Sequence, residues 1–275
     1  RNTRVGNVIM SNFSDFISGG GSASFPTIFL HNSQTWVPPQ DGNIMIHVIG
    51  AGGSGSAANS TSSLNSGAAG GYCRKNSLAV TTSGSFTVVI GAGGASRLGQ
   101  GNGTAGGNTT VAGTGLGSTL TANGGAAGTT TNVTYTAGGT ATGGDVNYTG
   151  GRGGNSKGGG AVGLLGTGND GGKIANYLAS LGGDCDILGD FYSSTLGQLS
   201  GSGGGIGQYV ATAGNDGHEQ AGPLAGAGSV YKDATSGTVG HASIGGGGGW
   251  GRSSGTNYMN SGRGGEGCVV IQYIP

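Results

Sequence analysis

Seventy of the 275 residues are glycine, and all but five of them fill one stretch from Gly50 to Gly267 instead of a linker. Glycine makes up about 7% of an average chain, so this density restricts the possible folds before any motif is considered. A glycine has no side chain to bury, and ordering its backbone costs at the top of the ~1–2 kcal/mol per-residue range. A chain of this kind either stays unfolded or coheres through its main chain.

Disorder is the simpler expectation for a sequence rich in Gly, Ser, Thr and Asn. Three features oppose it. Charged residues make up only 8% of the chain and the formal net charge is zero, so nothing repels it into solution. The segments flanking the glycines are strongly apolar. Single hydrophobic residues such as Val111, Leu116, Leu120, Val162, Ile206 and Ile244 also punctuate the glycines, which a linker does not require. Collagen is excluded, because five prolines are too few and glycine does not recur strictly every third residue. The remaining solution is a bundle of polyglycine-II helices, extended and threefold, whose outward N–H and C=O groups pair with those of neighbouring helices. The expected fold is therefore mostly β and irregular, with little α-helix. A small antiparallel sheet would clasp the polyglycine-II bundle.

The chain divides into two parts. Residues 1–33 carry Phe13, Phe16, Ile17, Phe25, Ile28, Phe29 and Leu30 and read as a strand-rich attachment or assembly segment. It would dock on the domain's own base, a neighbouring subunit or a larger assembly. Residues 34–275 form the glycine-rich domain. Within it, alternation and β-branching predict strands at 44–49, 86–90 and 268–274, expected to lie together in one sheet joining the start and end of the glycine stretch. The stretch 173–199 is poor in glycine, and Ile174, Tyr177, Leu178 and Leu181 have the spacing of one helical face.

Motifs for small-molecule chemistry are weak. Residues 50–55 match the glycine fingerprint of dinucleotide sites, but no helical pattern follows. Arg74 and Lys75 stand where an acid is needed. Asp184, Asp186 and Asp190 could chelate calcium, yet turn-forming aspartate is the commoner explanation and the EF-hand register is absent. The four histidines are dispersed, and no serine lies in a nucleophile elbow. The three cysteines lack metal-ligand spacing, and their pairing is not deducible from the sequence. No enzymatic activity and no cofactor are expected. The Lys and Arg residues are scattered, so nucleic acid is not an expected partner, and no apolar run is long enough for membrane insertion. Tyrosine and tryptophan beside bare backbone either cap the bundle or grip a ligand at low entropic cost. Tyr135, Tyr177, Asp186, Phe191, Tyr192 and Trp250 are the candidate receptor contacts.

Trp36-Val37-Pro38 followed by strand 44–49 and Gly50-Ala51-Gly52-Gly53 resembles the opening of the glycine-rich domain of bacteriophage tail fibres and related adhesins. Gly71-Tyr72, strand 86–90 with Gly91-Ala92-Gly93-Gly94, and residues 262–267 running into the last strand resemble its later units. The resemblance implies a polyglycine-II sandwich whose loops bind outer-membrane proteins or surface sugars. Those loops would be 57–66, 129–135, 175–199, 211–220 and 229–238. It implies a non-enzymatic protein of the virion surface, homo-oligomeric, with a host-surface protein or glycan and other virion subunits as partners. The alternative is a self-assembling structural subunit of a capsid, tail or extracellular filament, favoured by the apolar N-terminal segment.

Overall fold

The computed structural model describes residues 10–11, 26–58, 64–131, 135–154, 158–159, 162, 167–168, 170, 244–249, 251–252 and 261–275. These residues are all-β and extended, with no helix among them. Two antiparallel sheets carry the fold. The first runs β1 (Met10–Ser11), β2 (Thr27–Leu30), β13 (Cys268–Ile274), β4 (Gly42–Ile49), β6 (Tyr72–Val80) and β11 (Val146–Tyr148), in that order. The second runs β10 (Ala141–Thr142), β9 (Leu120–Ala122), β8 (Thr109–Gly113), β7 (Phe86–Val89) and β3 (Gln34–Trp36). A short parallel pair joins β5 (Ala57–Ala58) to β12 (Gly251–Arg252).

The last strand lies between β2 and β4, with Val269 opposite both Leu30 and Val48, so the beginning and end of the glycine stretch are clasped together. Thr27–Leu30, from the N-terminal segment, thus pairs within the domain's own sheet. Alternation on β4, β13, β7 and β8 turns one face of each sheet inward. Ile44, Ile46, Val48, Val269, Ile271 and Tyr273 meet Trp36, Phe86, Val88, Val111 and Leu120 in a single apolar core. Trp36 and Phe86 touch at 5.4 Å between ring centroids, tilted by 46°.

One expectation is corrected here. Residues 86–90 do not share a sheet with 44–49 and 268–274. Both edges of β4 are already taken, by β13 and by β6, and β7 pairs with β3 and β8 in the second sheet. Its burial alternates, with Phe86 and Val88 inside and Thr87 and Val89 outside, as befits a strand with one wet face.

The glycine segments leave these strands and are buried with almost no apolar side chain of size, Leu64 being the one large hydrophobic residue in the two segments described next. Residues 50–58 and 64–71 are buried throughout. Hydrogen bonding keeps them there, and it recurs every third residue. Gly50, Gly53 and Ser56 donate their N–H groups to the carbonyls of Gly71, Ala68 and Asn65 at 2.8, 2.9 and 3.1 Å. Ala51, Ser54 and Ala57 donate instead to Gly107, Thr104 and Gly101, and Gly52 and Gly55 to Gly265 and Gly262. The same segment accepts from Gly94, Gly125, Gly128 and Gly248. Segment 64–71 repeats the pattern toward 123–129, 151–154 and 245–248. Each N–H in turn points to a different neighbour, so buried amides are paired in several directions at once.

Glycine spacing follows from this packing. A Cβ on Gly67 or Gly70 would fall on the carbonyl of Gly53 or Gly50, one on Gly125 or Gly128 on that of Ala68 or Asn65, and one on Gly103 or Gly106 on that of Ser54 or Ala51, all closer than 3.0 Å. Each pair is three residues apart. The face pressed against a neighbour must be bare at every third position, whereas Ala51, Ser54 and Ala57 carry a Cβ on the same repeat, where there is room.

Candidate functional site

The topology gathers the turns at one end. Strand β4 runs into segment 50–57, which turns and returns as 64–71 into β6. Strand β7 runs into 91–94, which turns through 95–100 and returns as 101–107 into β8. Strand β9 likewise runs into 123–129, whose return, 136–140, leads to β10. Segment 123–129 runs parallel to 50–57, with Gly125 bonded to Ala51 and Gly128 to Ser54. The turns therefore lie together at the end remote from the two sheets, which we call the distal end. Of the expected loops 57–66 and 129–135, residues 57–58, 64–66, 129–131 and 135 are described and fall there, and 57–58 and 64–66 are buried in the packed segments. The rest of both loops, and those at 175–199, 211–220 and 229–238, lie outside the described residues.

Tyr135 is the one candidate contact residue that the structure describes. Tyr177, Asp186, Phe191, Tyr192 and Trp250 lie outside the described residues, as do the helical spacing at 174–181 and the aspartates 184, 186 and 190. Tyr135 is half-buried at the foot of the 129–135 turn. The guanidinium of Arg152 lies over its ring, 4.4 Å from the centroid. Arg152 is itself fixed by Asp170: its backbone N–H and its Nε each donate to the carboxylate at 2.9 Å, and its Nη2 completes the ion pair. Burial opposes ionisation of Asp170, but the hydrogen bonds and charge of Arg152 outweigh it and hold the carboxyl below its ordinary range. The planar fork of arginine thus serves ring and carboxylate together.

Two further features of the distal end were missed in the sequence. The Asn102 Oδ1 accepts from the Thr130 N–H at 2.9 Å and its hydroxyl at 3.1 Å, tying the turn at 95–101 to the one at 129–135. In the first of these turns, Arg97 exchanges hydrogen bonds with Ser261: the Arg97 N–H donates to the serine hydroxyl at 2.9 Å, and the Ser261 N–H donates to the Arg97 carbonyl at 3.1 Å. The only local signal was Leu98, the single large apolar residue among glycines, alanines and polar residues between 91 and 110.

At the opposite end, the outer face of the first sheet carries a buried polar cluster. His47 Nδ1 and the Tyr72 hydroxyl share a 2.8 Å hydrogen bond, and Tyr72 stacks on Tyr148 at 6.2 Å. Desolvation, reinforced by the positive Arg74, lowers the His47 pKa to about 3, so the imidazole is neutral. Burial likewise raises the phenol of Tyr72. Cys73 and Cys268 are buried free thiols, each pushed up to about 12 by desolvation. Among the described residues no group of His, Cys, Asp and Glu could hold a metal ion, and no helix is long and apolar enough to cross a membrane.

Among curated proteins none matches this chain. A glycine-rich domain family does match it, over residues 29–274, which takes in both sheets from β2 onward and the whole glycine stretch between them. The chain belongs to that glycine-rich domain family.

Proposed function

We propose that the chain is a non-enzymatic display module of a virion surface, tail-fibre or adhesin-like, whose distal turns contact a host-cell surface protein or glycan. In this reading the glycine segments are polyglycine-II helices and the two sheets are their base. The observation that carries the reading is the shared direction of the hairpins. The sheets and the paired backbones use their side chains and amides internally, whereas the turns at 95–101 and 129–135 spend theirs on holding exposed side chains in place. Threefold repetition of the hydrogen-bond partners supports the helix assignment, because a threefold extended helix has no internal bonds and offers an N–H to a new direction at each residue.

Binding of the labelled protein to intact bacterial isolates tests the proposal. Tyr135→Ala and Arg152→Ala are expected to weaken binding to a bound isolate by about tenfold or more, the loss of one ring or one arginine contact. Their melting temperatures should change little, since both residues lie at the periphery. Unchanged binding by both variants would remove the distal contact site. Amide exchange tests the scaffold independently: the N–H groups of 50–57 and 64–71 are expected to be the slowest in the protein, as slow as those of β4 and β13.

A further inference from the structure

We infer that the turn at residues 95–100 is a preformed apolar contact point, in which Leu98 enters a pocket on a protein partner. This rests on the reading that the distal end faces the host. Three large hydrophobic residues are exposed among the described residues: Leu98 at 70%, Val37 at 51% and Val89 at 44%. Val37 and Val89 belong to the second sheet or its margin. Leu98 alone stands at the distal end, and it is the most exposed of the three.

The turn is built to hold it still. Gly99 has φ of 74°, a left-handed conformation that turns the chain immediately after Leu98. On one side the Arg97 guanidinium folds back and donates to the Gln100 carbonyl at 3.0 Å, lying against the bare Cα of Gly101. On the other side the backbone of Arg97 is stapled to Ser261 in both directions. Beyond the turn, Gly101 and Ala57 exchange N–H···O bonds of 2.8 and 2.9 Å. A leucine presented on so constrained a turn loses little conformational freedom when it is buried, which is how preorganised contacts gain affinity. A branched aliphatic side chain has no hydroxyl, amide or ring face to offer a sugar, so its complement is an apolar pocket in a protein.

The test uses the full chain, fluorescently labelled, on a panel of intact bacterial isolates before and after protease treatment. Leu98→Asp is the test variant. Val37→Asp is the matched control, because Val37 follows β3 at the end of the sheet away from the glycine segments. The wild type is expected to bind at least one isolate, to lose binding when surface protein is shaved, and to be weakened roughly 10- to 100-fold by Leu98→Asp. The control should bind as the wild type does, and both variants should melt like it. Binding that survives protease, or that Leu98→Asp leaves intact while Arg152→Ala abolishes it, overturns the role of Leu98 and keeps the distal end as the contact surface. Failure of the wild type to bind any isolate overturns both.

Discussion

A Gly67→Ala or Gly125→Ala variant is expected to lose about 3 kcal/mol of stability or more, and to unfold at a markedly lower temperature or denaturant concentration. The added methyl would sit on a neighbouring backbone carbonyl, Gly53 in one case and Ala68 in the other, closer than any real contact allows. Backbone cannot rotate aside as a side chain can, so the segments must separate. Overpacking of this kind costs about 1–3 kcal/mol, and each buried amide left without a partner adds a similar amount. Gly117→Ala is the control. It has open space around it but φ of 72°, so only a local backbone penalty of about 1–2 kcal/mol applies. Equal effects at Gly67 and Gly117, measured by chemical denaturation, would mean that the glycine segments are not in close backbone contact.

The second large effect is on acid stability. Well above pH 6.5 the ionisation of His47 contributes no slope, because the imidazole is then neutral in both folded and unfolded chains. Below 6.5 the unfolded chain takes up a proton that the folded state refuses until about pH 3. Stability should therefore fall as the pH drops through this window, by up to about 1.4 kcal/mol per pH unit from this residue. The direction follows from the lowered folded-state value: the neutral form is the one that fits. Protonation would place a second cation beside Arg74 and cost the Tyr72 hydrogen bond its acceptor lone pair or its geometry. Asp145 and Asp170, whose carboxyls are held low by Lys75 and Arg152, weaken the fold only when the pH approaches the ordinary carboxylate range. Denaturation midpoints of wild type and His47→Gln between pH 6.5 and 4.5 separate the terms. The variant should be less stable at neutral pH and flatter with pH. Parallel curves would show that His47 titrates freely.

Much of the scaffold was legible because glycine is a conformational signal as well as a compositional one. The absence of a Cβ at Gly67, Gly70, Gly125 and Gly128 is what lets backbones meet, and the apolar β-branched runs at 44–49 and 268–274 mark the strands that clasp them. The second sheet was not legible as such. Its inner strands, Thr109–Gly113 and Leu120–Ala122, are short and rich in Thr, Ala and Gly, so Val111 and Leu120 look like isolated hydrophobics until Phe86 and Val88 are placed beside them. Strand β6 escaped notice for a different reason. Arg74, Lys75, Asn76 and Ser77 interrupt its apolar pattern, and they do so where it widens toward solvent and takes up Asp145. At the distal end Tyr135 was recognisable from its chemistry, but its partners were not. Arg152 and Asp170 come from segments that only the hairpin topology brings alongside, and nothing in their local sequence announces the arrangement.

The threefold recurrence of hydrogen-bond partners has a consequence for how such a domain can change length. Adding or deleting three residues inside one of these buried segments would return each amide beyond the change to the same neighbouring segment. Adding one or two there would aim those donors at the wrong companions and bring side chains round to the faces that must be bare. Length changes within a segment should therefore come in triplets of amino acids, whereas the turns at its end, which carry no such phase, can take any number.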